Sequence, residues 1–446
     1  MKVLIIGAAR SGTQAALLLA AHHHAVTLTD MKQIDAKREL EEAGVQVLDH
    51  GHPEFLKMEN WDLIVKNPGI PYQAPFVQYF VEKQVRIVNE IEVASWFTDQ
   101  FAYAAVTGTN GKTTTTTLLA ELLQRKRPNA RAAGNIGVPL SEIVREQGDQ
   151  KTDIALEVAA FQLVAMEKFH PVVSVCMNLT PDHLDYFGSL EAYYEAKMRV
   201  WKNQRDDDWF LMNLDDPEIV RRCTDLPCQG VTFSLKQPAD LCVKQDQVWL
   251  LDQPLFALSD LHLPGKHNLQ NAMVAAAMAV KMGVSADQIR AGIQAFKGVE
   301  HRIEFVAEIQ GARYYNDSKG TNVDATCVAL NAFDKPVILL AGGYDKKTGF
   351  EGLKPVLERI KTMIVYGETR AQLKALRPDA IVVETMQEAV DQAYQLAGEG
   401  DIVLLSPVCA SWDQFTDYEQ RGRQFKEQVH ALARQSMAAS QTSQPD

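Results

Sequence analysis

The chain has 446 residues, 46% hydrophobic and 23% charged, with a formal net charge of −12. Such acidity argues against a nucleic-acid or membrane-surface binder, since either would present a basic face, and no apolar run reaches the ~20 residues of a membrane span. The length fits about three domains, and six cysteines without a C-x-x-C pair read as reduced thiols of a cytoplasmic protein.

Residues 2–30 read as strand, glycine-bearing loop, helix and strand, closed by Asp30. The opening strand carries no signal-peptide pattern. Its loop, "GAARSG", is close to the dinucleotide fingerprint, with Gly7 and Gly12 at the ends. Ala9 stands where a glycine would let a pyrophosphate approach, so the loop suits some other diphosphate better than NAD. Asp30 either accepts from a ligand hydroxyl or caps the loop. The triplet His22–His24 reads as a solvated helix end. "WDLIVKNPGIP" and "VRIVNEIEVASWF" add two more strands and a helix, completing a doubly wound domain that ends near residue 92.

"FAYAAVTGTNGKTTTTTLLAELLQ" follows as strand, loop and helix, with Leu118, Leu119, Leu122 and Leu123 at helical spacing. The phosphate-binding pattern G-x-x-x-x-G-K-[ST] would want glycine at 106, where Val106 stands, and begins instead at Gly108. The physics survives the shortening. Glycines let successive N–H groups turn inward, the helix offers its positive end, and Lys112 adds a full charge. Thr113 is placed to give its hydroxyl to Mg²⁺. A plain Gly-Asn turn is the alternative. Glu157 closes the strand "TDIALEV", where a metal carboxylate would sit, although strand ends also carry ordinary acids. His183, in "NLTPDHLDYFGS", lies where loops of a parallel sheet meet ligands or solvent. Lys197, by itself, reads as an exposed helix lysine. Residues 267–282 form an Ala-rich helix. From Lys297 onward, "ARYYNDS", "KPVILLAGG", "TMIVYG", "AIVVE" and "DIVLLSP" are strands of a further open α/β domain. There Arg302 and Lys319 are either cations for a negative substrate or surface charge. The polar end, from about residue 436, is expected to be disordered.

Taken in order, "GTNGKTT", "AGNIG", "LEVAAFQL", "PDHLD", "AKMR", "HNLQNAMVAA", "HRIE" and "NDSKGTN" resemble the motif series of the Mur ligases, over essentially the whole chain. "LLSPVCASWDQFTDYEQRG" is similar to the C-terminal signature of the members that add D-glutamate. The resemblance implies an α/β chain of three domains: a Rossmann-like 1–92 for the uridine substrate, a central P-loop ATPase-type 93–296, and a Rossmann-like 297–446 for the amino acid. It implies a monomeric, cytoplasmic ligase of peptidoglycan precursor synthesis, with no nucleic-acid or membrane partner. ATP would phosphorylate the carboxylate of UDP-N-acetylmuramoyl-L-alanine, and D-glutamate would displace the phosphate. A related ligase for another amino acid and a non-catalytic nucleotide-binding homologue are the alternatives.

Residue by residue, the resemblance places ATP on Gly108, Thr109, Asn110, Gly111, Lys112, Thr113 and Thr114, with Asn268, Asn271, Arg302 and Asp317 facing the nucleotide. Lys112, Glu157, His183 and Lys197 would be catalytic. Two Mg²⁺ ions would be held by Thr113, Glu157, His183 and Lys197, the lysine carbamylated by CO₂. Carbamylation needs a neutral amine and hence a pocket that lowers its pKa. Ser11, Gly12, Asp30, Gly69, Asn135 and His183 would meet the uridine substrate, and Lys319, Thr321, Lys346, Ser411 and Tyr418 the D-glutamate. The chain departs from the usual pattern with Ala159 and Ala160 in place of serines, Asn67 in place of Ser, Trp412 in place of a smaller apolar residue, and Tyr418 in place of Phe.

Overall fold

Short runs of Val, Ile and Leu form β1 (Lys2–Ile6), β2 (Ala25–Thr29), β3 (Gln46–Leu48), β4 (Leu63–Lys66) and β5 (Ile87–Val88), a parallel sheet ordered β3-β2-β1-β4-β5. The structure, a computed structural model, describes residues 1–182, 184–345 and 349–442. Both faces of a parallel sheet are covered, so its strands need apolar residues throughout. In β1, Val3 and Ile5 pack with Leu17 and Leu28 on one side, while Leu4 and Ile6 pack with Trp61 and Phe80 on the other. β1 lies between β2 and β4, so the loop after it opens where the strand order reverses, the place where such sheets bind ligands.

The second sheet repeats this logic on a larger scale. Its strands are β6 (Phe101–Thr107), β7 (Arg131–Gly134), β8 (Thr152–Glu157), β9 (Val173–Cys176), β10 (Trp209–Asn213), β11 (Gln229–Phe233), β12 (Leu241–Lys244), β13 (Gln247–Leu250) and β14 (Gln253–Ala257). They run β14-β13-β12-β11-β10-β9-β6-β8-β7, parallel except for the hairpin pairings of β12, β13 and β14. β6 sits between β9 and β8, so the glycine loop that follows it also opens at a switch point. The helix Lys112–Lys126 begins there although its five threonines are weak helix formers. Packing decides the matter: Leu118, Leu119, Leu122 and Leu123 are all buried.

The third sheet contains β15 (Glu304–Ile309), β16 (Ala312–Asn316), β17 (Val337–Gly342), β18 (Ile360–Tyr366), β19 (Ile381–Val382) and β20 (Ile402–Leu405). Its order is β15-β16-β20-β17-β18-β19, with only the β15–β16 pair antiparallel.

The chain groups into two compact units, residues 1–261 with 270–295, and 262–269 with 296–446. The first unit therefore holds two sheets. Buried carboxylates help to join their surroundings: Glu92 accepts from the backbone N–H groups of Glu167, Lys168 and Phe169. Glu90 accepts from both N–H and hydroxyl of Ser141 at 2.6 Å.

His22 and His23 are exposed at the end of the helix Arg10–Ala21, as expected, with the His22 ring stacked on Phe97 at 4.2 Å. The cysteines are free thiols, three of them buried. The final helix runs Tyr418–Thr442, so residues 436–442, expected from composition to be disordered, continue a helix. Residues 443–446 lie outside the described residues. Among the described residues no helix is long and apolar enough to cross a membrane.

Candidate active site

The loop after β6 is shaped by two glycines in the left-handed region. Gly108 has φ +134°, and a Cβ there would stand 2.9 Å from that of Met177. Gly111, with φ +84°, caps the helix Lys112–Lys126, and its Cβ would meet Asn271 Oδ1 at 2.5 Å. Backbone this close to its neighbours is a position for glycine alone. Asn178 holds the loop from the next strand end: its Oδ1 accepts from the N–H groups of Thr109 (3.1 Å) and Asn110 (2.8 Å), and its Nδ2 donates to the Asn110 carbonyl. Thr113 lies half-buried in the first helical turn and Thr114 is buried.

Two lysines converge on one carbonyl. Lys112 Nζ donates to the carbonyls of Gly108 (2.9 Å) and Thr109 (2.8 Å), and Lys197 Nζ donates to Gly108 O at 2.7 Å. Lys197 is 2% exposed, which overturns its default reading as a surface lysine. The helix Leu190–Met198 presents it inward over the Tyr193 ring, 4.6 Å from the centroid. Burial, reinforced by the Lys112 charge, pulls its ammonium down to about 7.

Glu157 ends β8 beside this loop, since its register partner in β6 is Val106. It is 2% exposed. Its Oε1 accepts from Asn135 Nδ2 at 2.9 Å, and its buried Oε2 has no hydrogen-bond partner among the described residues. A buried carboxylate oxygen left unpaired is costly unless a cation completes it. Ala159 and Ala160 are buried, and the Ala159 N–H is taken up by Gln162 Oε1 at 2.8 Å. The turn is therefore satisfied without the hydroxyls that serines would supply.

Two cavities open at the loops of this unit. One, of about 490 Å³, is lined by Ser11, Asn67, Gly69, Asn135 and Phe161 among others. The other, of about 580 Å³, includes Gly7, Asp30, Lys32 and Ile70. Ser11, Gly69 and Asn135 thus share the first and Asp30 lines the second. Asp30 also caps the loop, accepting from Ala8 N (2.7 Å) and Lys32 N (2.9 Å). Gly12 lines neither cavity. It is buried where a Cβ would overlap the Gly7 carbonyl oxygen, so its glycine serves close helix–strand packing.

In the second unit Asp317, at the end of β16, is fully buried. It accepts from Ser406 Oγ (2.7 Å) and Ile303 N (3.3 Å). Burial pushes it up to about 6, against the opposing pull of Arg302. Arg302 Nε is buried without a hydrogen-bond partner among the described residues. It is flanked by left-handed backbone at His301 (φ 63°) and Ile303 (φ 45°), and such strain in a β-branched residue marks positions the surroundings hold in place. Lys319 Nζ lies 5.7 Å from the Tyr418 ring, whose residue accepts through its carbonyl from Ser318 Oγ. Ser411 is buried, while Trp412 is 63% exposed against Tyr344. Asn268 donates to the Pro264 carbonyl at 2.7 Å. Thr321 sits half-buried in the loop after β16. His183 and Lys346 lie outside the described residues.

Sequence reasoning missed Asn178, Lys66 and Arg421. Arg421 is fully buried, binding the carbonyls of Ser318 (2.9 Å) and Cys409 (3.2 Å) and so tying two loops of its unit together. Asn178 carried a weak signal, standing at the end of an apolar strand beside the P-loop. Arg421 stood inside the quoted stretch "LLSPVCASWDQFTDYEQRG", but as a charge within a polar helix start it gave no sign of burial.

A parallel-sheet switch point carrying a glycine loop, two converging lysines and a buried carboxylate with one oxygen unpaired among the described residues is the site of a nucleotide-dependent enzyme. Residues 106–279 match the Mur ligase middle domain, and residues 301–409 the Mur ligase, glutamate ligase domain. The chain is 40% identical to the UDP-N-acetylmuramoylalanine–D-glutamate ligase of Geobacillus kaustophilus, covering 97% of this chain and 98% of that one. It is also 40% identical to the enzyme of the same name from Lacticaseibacillus paracasei, covering 97% and 96%. Among solved structures it shares its fold with MurF from Acinetobacter baumannii (TM-score 0.61, 15% identity, 96% and 93% coverage). The same holds for the UDP-N-acetylmuramate-alanine ligase of Thermotoga maritima (TM-score 0.59, 19% identity, 97% and 99% coverage). The chain belongs to the Mur ligase family, a family of ATP-dependent ligases.

Proposed function

We propose that this protein joins D-glutamate to UDP-N-acetylmuramoyl-L-alanine at the expense of ATP, in peptidoglycan precursor synthesis. The relatives just named support the substrate pair. The observation that carries the chemistry is the unpaired, buried Glu157 Oε2 beside a loop on which Lys112 and Lys197 converge. A free carboxylate is a poor acyl donor, and its approach to a triphosphate is opposed by like charge. The residues around Gly108 answer both needs.

The N–H groups of the loop 108–114 other than those of Thr109 and Asn110, which Asn178 holds, and the positive end of the helix Lys112–Lys126 cradle the phosphates. Lys112 neutralises their charge as the γ-phosphoryl group passes to the substrate carboxylate. Thr113, Glu157 and Lys197 would hold Mg²⁺, with His183 assigned to a second ion by resemblance alone. The metal, when bound, screens the repulsion between carboxylate and triphosphate. The orphaned Glu157 oxygen suits such an ion, and so does a lysine whose amine is neutral enough to add CO₂ and become a carbamate. Ser11, Asp30, Gly69 and Asn135 bind the uridine substrate through the two cavities. Asn271, Asn268, Arg302 and Asp317 face the nucleotide. Lys319, Thr321, Lys346, Ser411 and Tyr418 hold D-glutamate, whose two carboxylates suit cations and hydroxyls. Its amine attacks the acyl phosphate, the C–N bond forms, and phosphate leaves. Domain boundaries at 92/93 and 296/297 go with this reading.

The test is phosphate release from purified protein supplied with ATP, Mg²⁺, UDP-N-acetylmuramoyl-L-alanine and D-glutamate. Release is expected only when all four are present. Absence of release, or equal release with L-glutamate, refutes the reading.

A further inference from the structure

Lys66 is a buried cation to which the reaction above gives no part. It ends β4 and is 1% exposed. Its Nζ donates to the carbonyls of Asn67 (3.1 Å) and Ile70 (2.6 Å) and lies 4.6 Å from the Tyr72 ring centroid. Burial alone acts on its ammonium, pulling it down to about 8, with no neighbouring carboxylate among the described residues to offset the loss of water. Packing by itself would be served better by an apolar side chain of that length.

The two carbonyls belong to the loop that walls both cavities. Asn67 and Gly69 line the first, Asn67 and Ile70 the second. The same turn is closed by Gly69 N donating to Asn67 Oδ1 at 3.0 Å, and Asn67 Nδ2 reaches Ser11 Oγ at 3.4 Å. With the Asn67 and Ile70 oxygens drawn onto the ammonium, their negative ends leave the cavity side. A positive charge then stands directly behind the wall. Both effects favour an anionic ligand.

We infer that Lys66 is a positioning residue for the uridine diphosphate moiety, setting the 67–70 loop and its electrostatic sense without touching the ligand. This rests on the assignment of the two cavities to the uridine substrate. Lys66→Met and Lys66→Gln, compared with the unaltered protein, test it by titration calorimetry with UDP-N-acetylmuramoyl-L-alanine and by steady-state kinetics. Removing two charge-assisted hydrogen bonds should weaken uridine-substrate binding tenfold or more in K66M. K66Q, which keeps a donor but no charge, should fall between. KM for ATP and for D-glutamate and the value of kcat should stay within about threefold, and the melting temperature should not drop. Wild-type affinity for the uridine substrate in either folded variant overturns the inference while leaving the ligase reading intact. So does a loss spread equally over all three substrates. Failure of the unaltered protein to bind the uridine substrate overturns both.

Discussion

Replacing Lys197 with alanine tests the chemistry at its least expected point. An exposed lysine titrates at 10.5, so at pH 7 only about one amine in 3000 is neutral. With Lys197 pulled down to about 7, roughly half are neutral at that pH, and the species able to attack CO₂ is enriched about a thousandfold. The carbamate forms as the neutral amine nitrogen bonds the CO₂ carbon and gives up one proton; counted from the ammonium, two protons leave in all and a buried cation becomes an anion beside Lys112. K197A should lower ligase turnover by a factor on the order of 100 to 1000, the usual cost of one charge-stabilising group in an active site. Bicarbonate together with a small carboxylic acid should restore part of it. In unaltered protein the rate should fall as pH drops through about 7 and in CO₂-free buffer, and should return on adding bicarbonate. Phosphate release measured under these conditions decides the matter. Wild-type turnover by K197A without additive, or complete indifference of the unaltered protein to CO₂, would refute the carbamate.

Glu157→Gln should cut turnover on a similar scale while the melting temperature holds or rises, because an uncompensated buried charge is removed; a fall in both would assign Glu157 to the fold instead. Gly111→Ala places a side chain at φ +84° against Asn271, which should cost about 1–2 kcal/mol in backbone strain alone and raise KM for ATP, as read by denaturant melts and kinetics. Asp317 has a native pKa raised from 3.8 to about 6, so between those pH values the folded protein holds a proton that the unfolded chain has lost. Stability contributed by this group is full below pH 4 and declines up to about pH 6, with a slope of at most ~1.4 kcal/mol per pH unit. Denaturant titrations of D317N across that range should show a shallower slope than the unaltered protein, with the buried Glu90, also raised to about 6, supplying the remainder.

Much of this molecule could be read along the chain. Alternating apolar strands and leucine-spaced helices announced the α/β architecture, because local periodicity records which faces will be buried. Gly108, Gly111 and Lys112 announced a phosphate loop, because only certain residue types permit its backbone. Departures from pattern were legible only as letters. Ala159 and Ala160 stood out in sequence, but the capture of the Ala159 N–H by Gln162 belongs to the folded turn.

What tertiary structure alone decided is how titratable groups are buried and paired. Lys197 reads as a surface lysine along its helix, and becomes a near-neutral amine only when a strand end 89 residues away in sequence supplies its carbonyl partner. Glu157 becomes a candidate metal ligand only when β6 and β7 close on both sides of it and leave one oxygen without company. Gly12 stood in sequence only as the end of a glycine loop; that the Gly7 carbonyl packs against it belongs to the folded chain. Lys66 and Arg421 are single charges with no local periodicity to betray them; each gains its role from carbonyls that the chain delivers after folding. Burial is a property of the whole assembly of layers, and desolvation follows burial, so the chemistry of these groups is written in three dimensions rather than one.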